Sequence, residues 1–338
     1  MTDRNLPIPV MGAREWALLL ILAVLWGGSF FFYKLLVAAL PPFAVVLGRV
    51  GLAALILNAW LLLRGRPLRV PLQVWAAFLV MGLLNNVVPF SLIAFGEVRI
   101  SSGLASILNA TTPIFTVLVA HATTADEKLS SGRIAGVAIG FAGVAVLVGP
   151  TAIAGIRSQD VIGEAASLLA ALAYAFAGIY GRRFRLLPPM TVATGQLTAS
   201  TFVLIPLVLL FDPPWRLPMP NAEVWMAMFG IAVFCTVLAY ILYFRILAAA
   251  GATNVLLVTF LVPISALVLG SAVLGEALHA RELLGMALIG GSLACVDGRL
   301  LALVLPRAKP PPRAFGNPAS VPEAIREESP VSRSADRR

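Results

Sequence analysis

The sequence is short of charge. Asp, Glu, Lys and Arg make up 12% of its 338 residues, about half of the roughly 25% carried by a soluble domain. Hydrophobic residues make up 59% and the mean hydropathy is +0.93, so the chain is built for a bilayer rather than for water. Chemistry-bearing residues are also scarce. The two histidines, His121 and His279, lie at the ends of apolar runs and form no His-Glu-x-x-His pair, so a zinc site is unsupported. No Gly-x-Ser-x-Gly elbow, phosphate-binding loop or paired acid deep inside an apolar run occurs, and neither an enzyme nor a metal or cofactor site is expected. The two cysteines, Cys235 and Cys295, fall in different apolar runs and read as small packing residues.

What the sequence does have is a succession of apolar runs. Ten can be drawn: 16–38, 43–63, 74–95, 101–122, 131–149, 162–181, 190–211, 223–244, 252–274 and 283–304. A helix rising about 1.5 Å per residue needs about 20 residues to cross a roughly 30 Å hydrocarbon core, and these runs match that length. Strand-like alternation is missing, which excludes a barrel. Ala38 and Ala39 resemble a cleavage site after a signal peptide. The first run nevertheless has a counterpart, because Tyr174 and Arg182 follow Trp26 and Lys34 at a distance of 148 residues.

That counterpart belongs to a longer repeat. Residues 101–150 and 251–300 share one pattern, with Pro113 and Pro263 set 150 apart and Glu127/Glu276, Leu129/Leu278 and Gly136/Gly285 set 149 apart. A period this long marks two copies of a domain-sized unit. Basic residues orient the copies. With the N-terminus inside, fifteen fall on the cytoplasmic side, from Arg4 and Arg14 through Arg182, Arg183 and Arg185 to Lys309 and Arg313, against Lys34, Arg99, Arg157, Arg216 and Arg281 outside. Five spans is an odd number, so the second copy enters the membrane upside down. The predicted fold is therefore an all-α integral membrane protein of ten transmembrane helices in two inverted five-helix repeats. These repeats occupy residues 16–149 and 162–304, joined by a loop at 150–161 and flanked by cytoplasmic tails at 1–15 and 305–338. The second tail is rich in Pro, Arg and Ser and reads as disordered. The formal charge of +9 suits membrane lipid headgroups, and no basic stripe with stacked aromatics points to nucleic acid.

Polar residues inside the apolar runs are the candidate site. Arg49 is the one basic residue deep in a run, where lipid exposure costs roughly 2.5–3.5 kcal/mol; an anionic ligand and a structural pairing both fit it. In the third run Gly82, Asn86, Pro89 and Ile93 share a face, with Asn85 beside it, and Pro89 predicts a kink beside an amide. An interhelical hydrogen bond is the alternative reading of Asn86. Ser102, Ser106, Asn109, Pro113 and Thr116 line one face of the fourth run, and Pro263 marks its mirror in the ninth. The second half supplies Tyr174, Thr236 and Tyr240; Tyr243 reads as an interfacial anchor. Gly132, Gly136 and Gly140 recur every four residues, a face for a peripheral helix or a homodimer partner. Glu127 and Glu276, at span ends on opposite sides, read as caps of the helices that follow them.

Two five-span repeats, Trp-Gly-Gly-Ser at 26–29, Arg49 in span two, Pro113 and Pro263, and a Gly nine residues after each of Glu127 and Glu276 together resemble the EamA-type drug/metabolite transporters. Tyr174, where a Trp is usual, and Arg281 with Glu282 before the tenth run depart from that pattern. The resemblance implies a secondary carrier in the inner membrane that moves a small-molecule substrate, often an amino acid or a xenobiotic, commonly outward. It also implies a central cavity lined by spans one, three, four, six, eight and nine; the candidate substrate contacts are Trp26, Asn86, Asn109, Tyr174 and Tyr240 from those spans with Arg49 of span two, and the candidate hinges are Pro89, Pro113 and Pro263. Proton coupling and substrate exchange both stay open. So do a sugar or nucleotide-sugar carrier and a non-transporting scaffold.

Overall fold

The computed structural model describes residues 11–124, 130–154, 159–255 and 257–297. Glu127, the middle of the connecting segment and the C-terminal tail lie outside the described residues. Those described form helices and no strand. We number the helices α1 (Ala13–Val37), α2 (Pro42–Leu63), α3 (Leu72–Glu97), α4 (Ser102–Thr123), α5 (Ser131–Ala154), α6 (Gln159–Gly181), α7 (Pro189–Phe211), α8 (Ala222–Ala250), α9 (Val258–Leu274, preceded by the short helix Ala252–Val255) and α10 (Ala280–Asp297). Seven of them, α1 to α4 and α6 to α8, are long and apolar enough to cross a membrane, while α5 and α9 contribute shorter apolar stretches. The loop expected at 150–161 is shorter, because α5 continues to Ala154 and α6 begins at Gln159.

Helix ends follow local chemistry. Ser101 and Asn221 cap α4 and α8 by accepting the amides of Leu104 and Val224 at 3.2 and 2.9 Å, while Pro42 and Pro189 sit in first turns that need no donor. Gly275 ends α9 at φ +68°, a conformation that glycine adopts without strain.

Three helices are deformed mid-span. In α3 the turn Leu83–Val87 widens to π geometry just before Pro89, which has no N–H to donate. In α8 the same widening spans Val233–Leu238, beginning 150 residues later, with Ala239 where α3 has Pro89. Proline is therefore not what the bulge requires. There the Thr236 hydroxyl donates to the Ile231 carbonyl at 3.0 Å. α4 breaks between Ser102–Asn109 and Thr112–Thr123, and the hydroxyls of Thr111 and Thr112 donate to the carbonyls of Leu108 and Asn109 at 2.6 and 2.7 Å. Pro263, by contrast, lies within the continuous helix Val258–Leu274. The matched prolines do not make matched breaks.

The packing repeats between the halves. α1 packs on α9 as α6 packs on α4; α3 packs on α6 as α8 packs on α1; α3 packs on α7 as α8 packs on α2; α2 meets α7 and α5 meets α10. Exchanging each helix for the one five places on leaves this set unchanged. The α5 glycines face α10 within the chain: Ser292 donates to the Gly136 carbonyl at 2.6 Å, and a Cβ on Gly140 would come within 2.7 Å of Ser292 Oγ.

The tightest crossing is α1 on α9. A Cβ on Gly27 would lie 1.9 Å from Ser265 Oγ and 2.9 Å from the Ala266 nitrogen, and Ser265 donates to the Ala23 carbonyl at 2.8 Å. Backbone obstructs that methyl, so the helices must part. Gly27→Ala is expected to destabilise the purified protein by roughly 1–3 kcal/mol. Gly290→Ala, whose Cβ meets nothing within 4 Å, should change stability by less than about 0.5 kcal/mol. Chemical unfolding in detergent checks both.

Candidate substrate cavity

A cavity of about 640 Å³ lies among the helices, large enough for a small-molecule ligand. Its mouth is rimmed by Phe184, Arg185, Leu187 and Pro189 where α6 passes into α7, and Arg185 and Pro189 are exposed there. Its walls include Trp26, Asn85, Asn109, Tyr174, Gln196 and Tyr240, and Tyr33, Arg49, Phe90 and Ile93 line its far end. Both halves of the chain build it.

One wall is a chain of amides and hydroxyls at the α3 bulge. Asn85 Nδ2 donates to Gln196 Oε1 at 3.2 Å and to the Tyr240 hydroxyl at 3.3 Å. The Tyr240 hydroxyl donates in turn to Asn86 Oδ1 at 3.4 Å, and Asn86 Nδ2 donates to Ser200 Oγ at 3.1 Å. These contacts tie α3 to α7 and α8, which orients the side chains instead of leaving them to rotate. Across the cavity Asn109 follows the turn that precedes the α4 break, and its Oδ1 is buried without a hydrogen-bond partner. A buried acceptor left open is a place for a ligand donor. Aromatic rings form the apolar walls: Trp26 lies 5.6 Å from Tyr243, and Tyr174 meets Phe90 edge-on at 6.4 Å.

Arg49 closes the far end. It is 4% exposed, with Nε donating to Thr236 Oγ1 at 3.0 Å and Nη1 to Ser29 Oγ at 2.8 Å. Its guanidinium carbon lies 3.8 Å from the centroid of Phe90 and 5.1 Å from that of Tyr33. Rings and hydroxyls thus replace the water that a buried cation loses, and they join α1, α2, α3 and α8 at one point.

Of the residues expected at the site, Trp26, Arg49, Asn109, Tyr174 and Tyr240 line the cavity. Asn86 does not: it is fully buried with its amide turned to Ser200 on α7, and its neighbour Asn85 holds the cavity position. The three prolines also stay out of the lining. Gln196 and Tyr243 were not expected there. Gln196 carries a faint signal in the sequence, being polar four residues before Ser200, on the face that meets Gly82. Tyr243 is cavity wall rather than interfacial anchor, because Trp26 packs against it. Glu276 caps a different helix from the one anticipated. Its carboxylate accepts the Ser102 amide at 2.9 Å, the Ser102 hydroxyl at 2.7 Å and the Gly103 amide at 3.4 Å, so it sits on the N-terminus of α4 in the other half.

Arg49→Lys keeps the charge but loses the planar stack and the two-pronged donation. The expected outcome is a stability loss of about 1–3 kcal/mol, measured by unfolding in detergent; an unchanged midpoint contradicts the pinning role.

The profile of the EamA-like transporter family matches residues 14–149 and again 161–296. Among curated relatives, YedA of Escherichia coli K12, described as an uncharacterized inner membrane transporter, is 28% identical over 83% of this chain and 88% of its own. The uncharacterized transporter YoaV of Bacillus subtilis is 23% identical over 79% and 90%, and a chloroplastic WAT1-related protein of Arabidopsis thaliana is 25% identical over 81% and 67%. A crystal structure 22% identical to the chain superposes with a TM-score of 0.62, covering 87% of this chain and 99% of the other, which shows a shared fold. With both halves matched by the profile and the helices long and apolar enough for a bilayer, the chain is a membrane transporter and belongs to the EamA-like transporter family.

Proposed function

We propose that the protein is a secondary transporter that carries a small metabolite, an amino acid or related compound or a xenobiotic, outward across the inner membrane by alternating access. The fold in this reading is ten transmembrane helices in two inverted five-helix repeats with both termini in the cytosol. The observation that carries it is a cavity built by both halves, open at one end and shut at the other. The helix pairings that survive exchange of the halves support the inversion, since a two-fold related pair of bundles can rock about a midplane site. The excess of basic residues at the α6–α7 connection supports a cytosolic cavity mouth, and in this reading substrate loads from inside.

The lining favours an amphipathic solute. Trp26, Tyr174 and Tyr243 take an apolar or aromatic part by stacking, while Asn85, Asn109 and Gln196 offer amide donors and acceptors to a polar part. No nucleotide-binding loop occurs in the sequence, so the drive in this reading is a gradient of substrate or of an exchanged ion.

Untargeted metabolite analysis of medium and cytosol tests the proposal, using cells that overproduce the wild type, Asn109→Ala or Tyr240→Phe at matched membrane levels. A small set of solutes should rise outside with the wild type and fall about tenfold with each variant, the change expected for about 1.4 kcal/mol of lost binding. Identical profiles for wild type and variants overturn the assignment.

A further inference from the structure

The sequence places no acid deep within a span, yet among the described residues the structure buries two completely, Glu97 and Glu164. Glu97, in the last turn of α3, is 0% exposed, and neither of its carboxyl oxygens has a hydrogen-bond partner. Charged groups surround it, but none pairs with its side chain. Lys34 Nζ donates instead to the backbone carbonyls of Glu97 and Ile100 at 2.7 and 2.8 Å, where α3 ends. The Glu276 carboxylate is engaged by the amides of Ser102 and Gly103 at the start of α4. Tyr33, next to Lys34, has a buried hydroxyl that also lacks a partner.

The elements packed against this end of α3 are α1, α2, α4 and α6. α1 presents Tyr33 and Lys34, α2 presents Arg49, and α6 carries Asp160, Glu164, Tyr174 and Tyr180; the segment of α4 that begins at Ser102 has no titratable side chain before its break, and the α9–α10 connection adds Glu276. A carboxylate is not left bare in a dry interior: it finds donors or takes up a proton.

We propose that Glu97 is a proton-binding site whose occupancy is tied to closure of the outer end of the transporter. The inference rests on the alternating-access reading. When the outer end is closed, Glu97 is a neutral acid, and Lys34 is held by the two carbonyls. When α1 and the α9–α10 connection move apart from α3 and α4, water enters and Lys34 is freed from the carbonyls. The O–H bond of the acid then breaks, the proton passes to water as hydronium, and the carboxylate pairs with the Lys34 ammonium. Closing reverses each step.

The test uses purified full-length protein in nanodiscs. Infrared spectra at neutral pH should contain the carbonyl stretch of a protonated, buried carboxylic acid in the wild type, in Glu276→Gln and in Glu164→Gln, and this band should vanish in Glu97→Gln. Glu97→Asp serves if the amide variant does not fold, and should shift the band. In right-side-out vesicles, Ile93→Cys in a Cys235→Ala, Cys295→Ala background should react with an impermeant maleimide several-fold faster at alkaline than at acidic external pH, and adding Glu97→Gln should make labelling slow at both. Survival of the band in Glu97→Gln, or unaltered pH dependence of labelling, overturns the proposal. Absence of labelling at every pH instead contradicts alternating access, and the band alone then decides whether Glu97 holds a proton.

Discussion

At the depth of a bilayer no water is available to take up a stray donor or acceptor, so every interruption of a helix must be satisfied from within the protein. This constraint accounts for most of the polar side chains in the described structure. The threonines at the α4 break bond the carbonyls released there, and Thr236 does the same inside the α8 bulge. Lys34 closes the end of α3 and Glu276 the start of α4. The polar residues are thus the conditions under which bent helices persist in lipid, before any of them meets a ligand.

The bends occur where the cavity is. The widened turns of α3 and α8 bring Asn85 and Tyr240 into hydrogen-bonding contact across the wall, and the turn before the α4 break holds Asn109 opposite. Arg49, stacked on Phe90 and bonded to Ser29 and Thr236, fixes the far end. Tight packing is found elsewhere: the glycines of α5 fasten α10, and Gly27 lets α1 lie against the α9 backbone. Close backbone contact makes rigid units, whereas hydrogen-bonded interruptions have alternative partners and can rearrange. A carrier needs both.

The all-helical membrane class was legible in the sequence, because long apolar runs survive translation into three dimensions as apolar helices. Trp26, Arg49 and Asn109 could be picked out as polar or aromatic residues in the wrong solvent. Less legible was which of two adjacent amides faces inward. Asn85 and Asn86 differ by about 100° around a regular helix, and the π turn rotates that relation in a way no spacing rule records. Pro113 and Pro263 look equivalent in sequence, yet Pro113 sits in the first turn after the α4 break while Pro263 lies well inside the helix Val258–Leu274. Glu97 stayed hidden because it lies beside a basic residue at a span end, where an acid is ordinarily solvated. Only tertiary packing reveals that Lys34 is spent on carbonyls, and that Glu276 reaches across to the opposite half.

The central claim is that the two ends of the cavity open in turn. Double electron–electron resonance measures this most directly, with Cys235 and Cys295 replaced and spin labels placed in pairs on exposed positions. Leu63→Cys with Leu186→Cys spans the end at the α6–α7 connection, and Ala38→Cys with Leu278→Cys spans the end at the α9–α10 connection. The account predicts two distances for each pair, with conditions that lengthen the distance at one end shortening that at the other. A single, unchanging distance at both ends under every condition would contradict it.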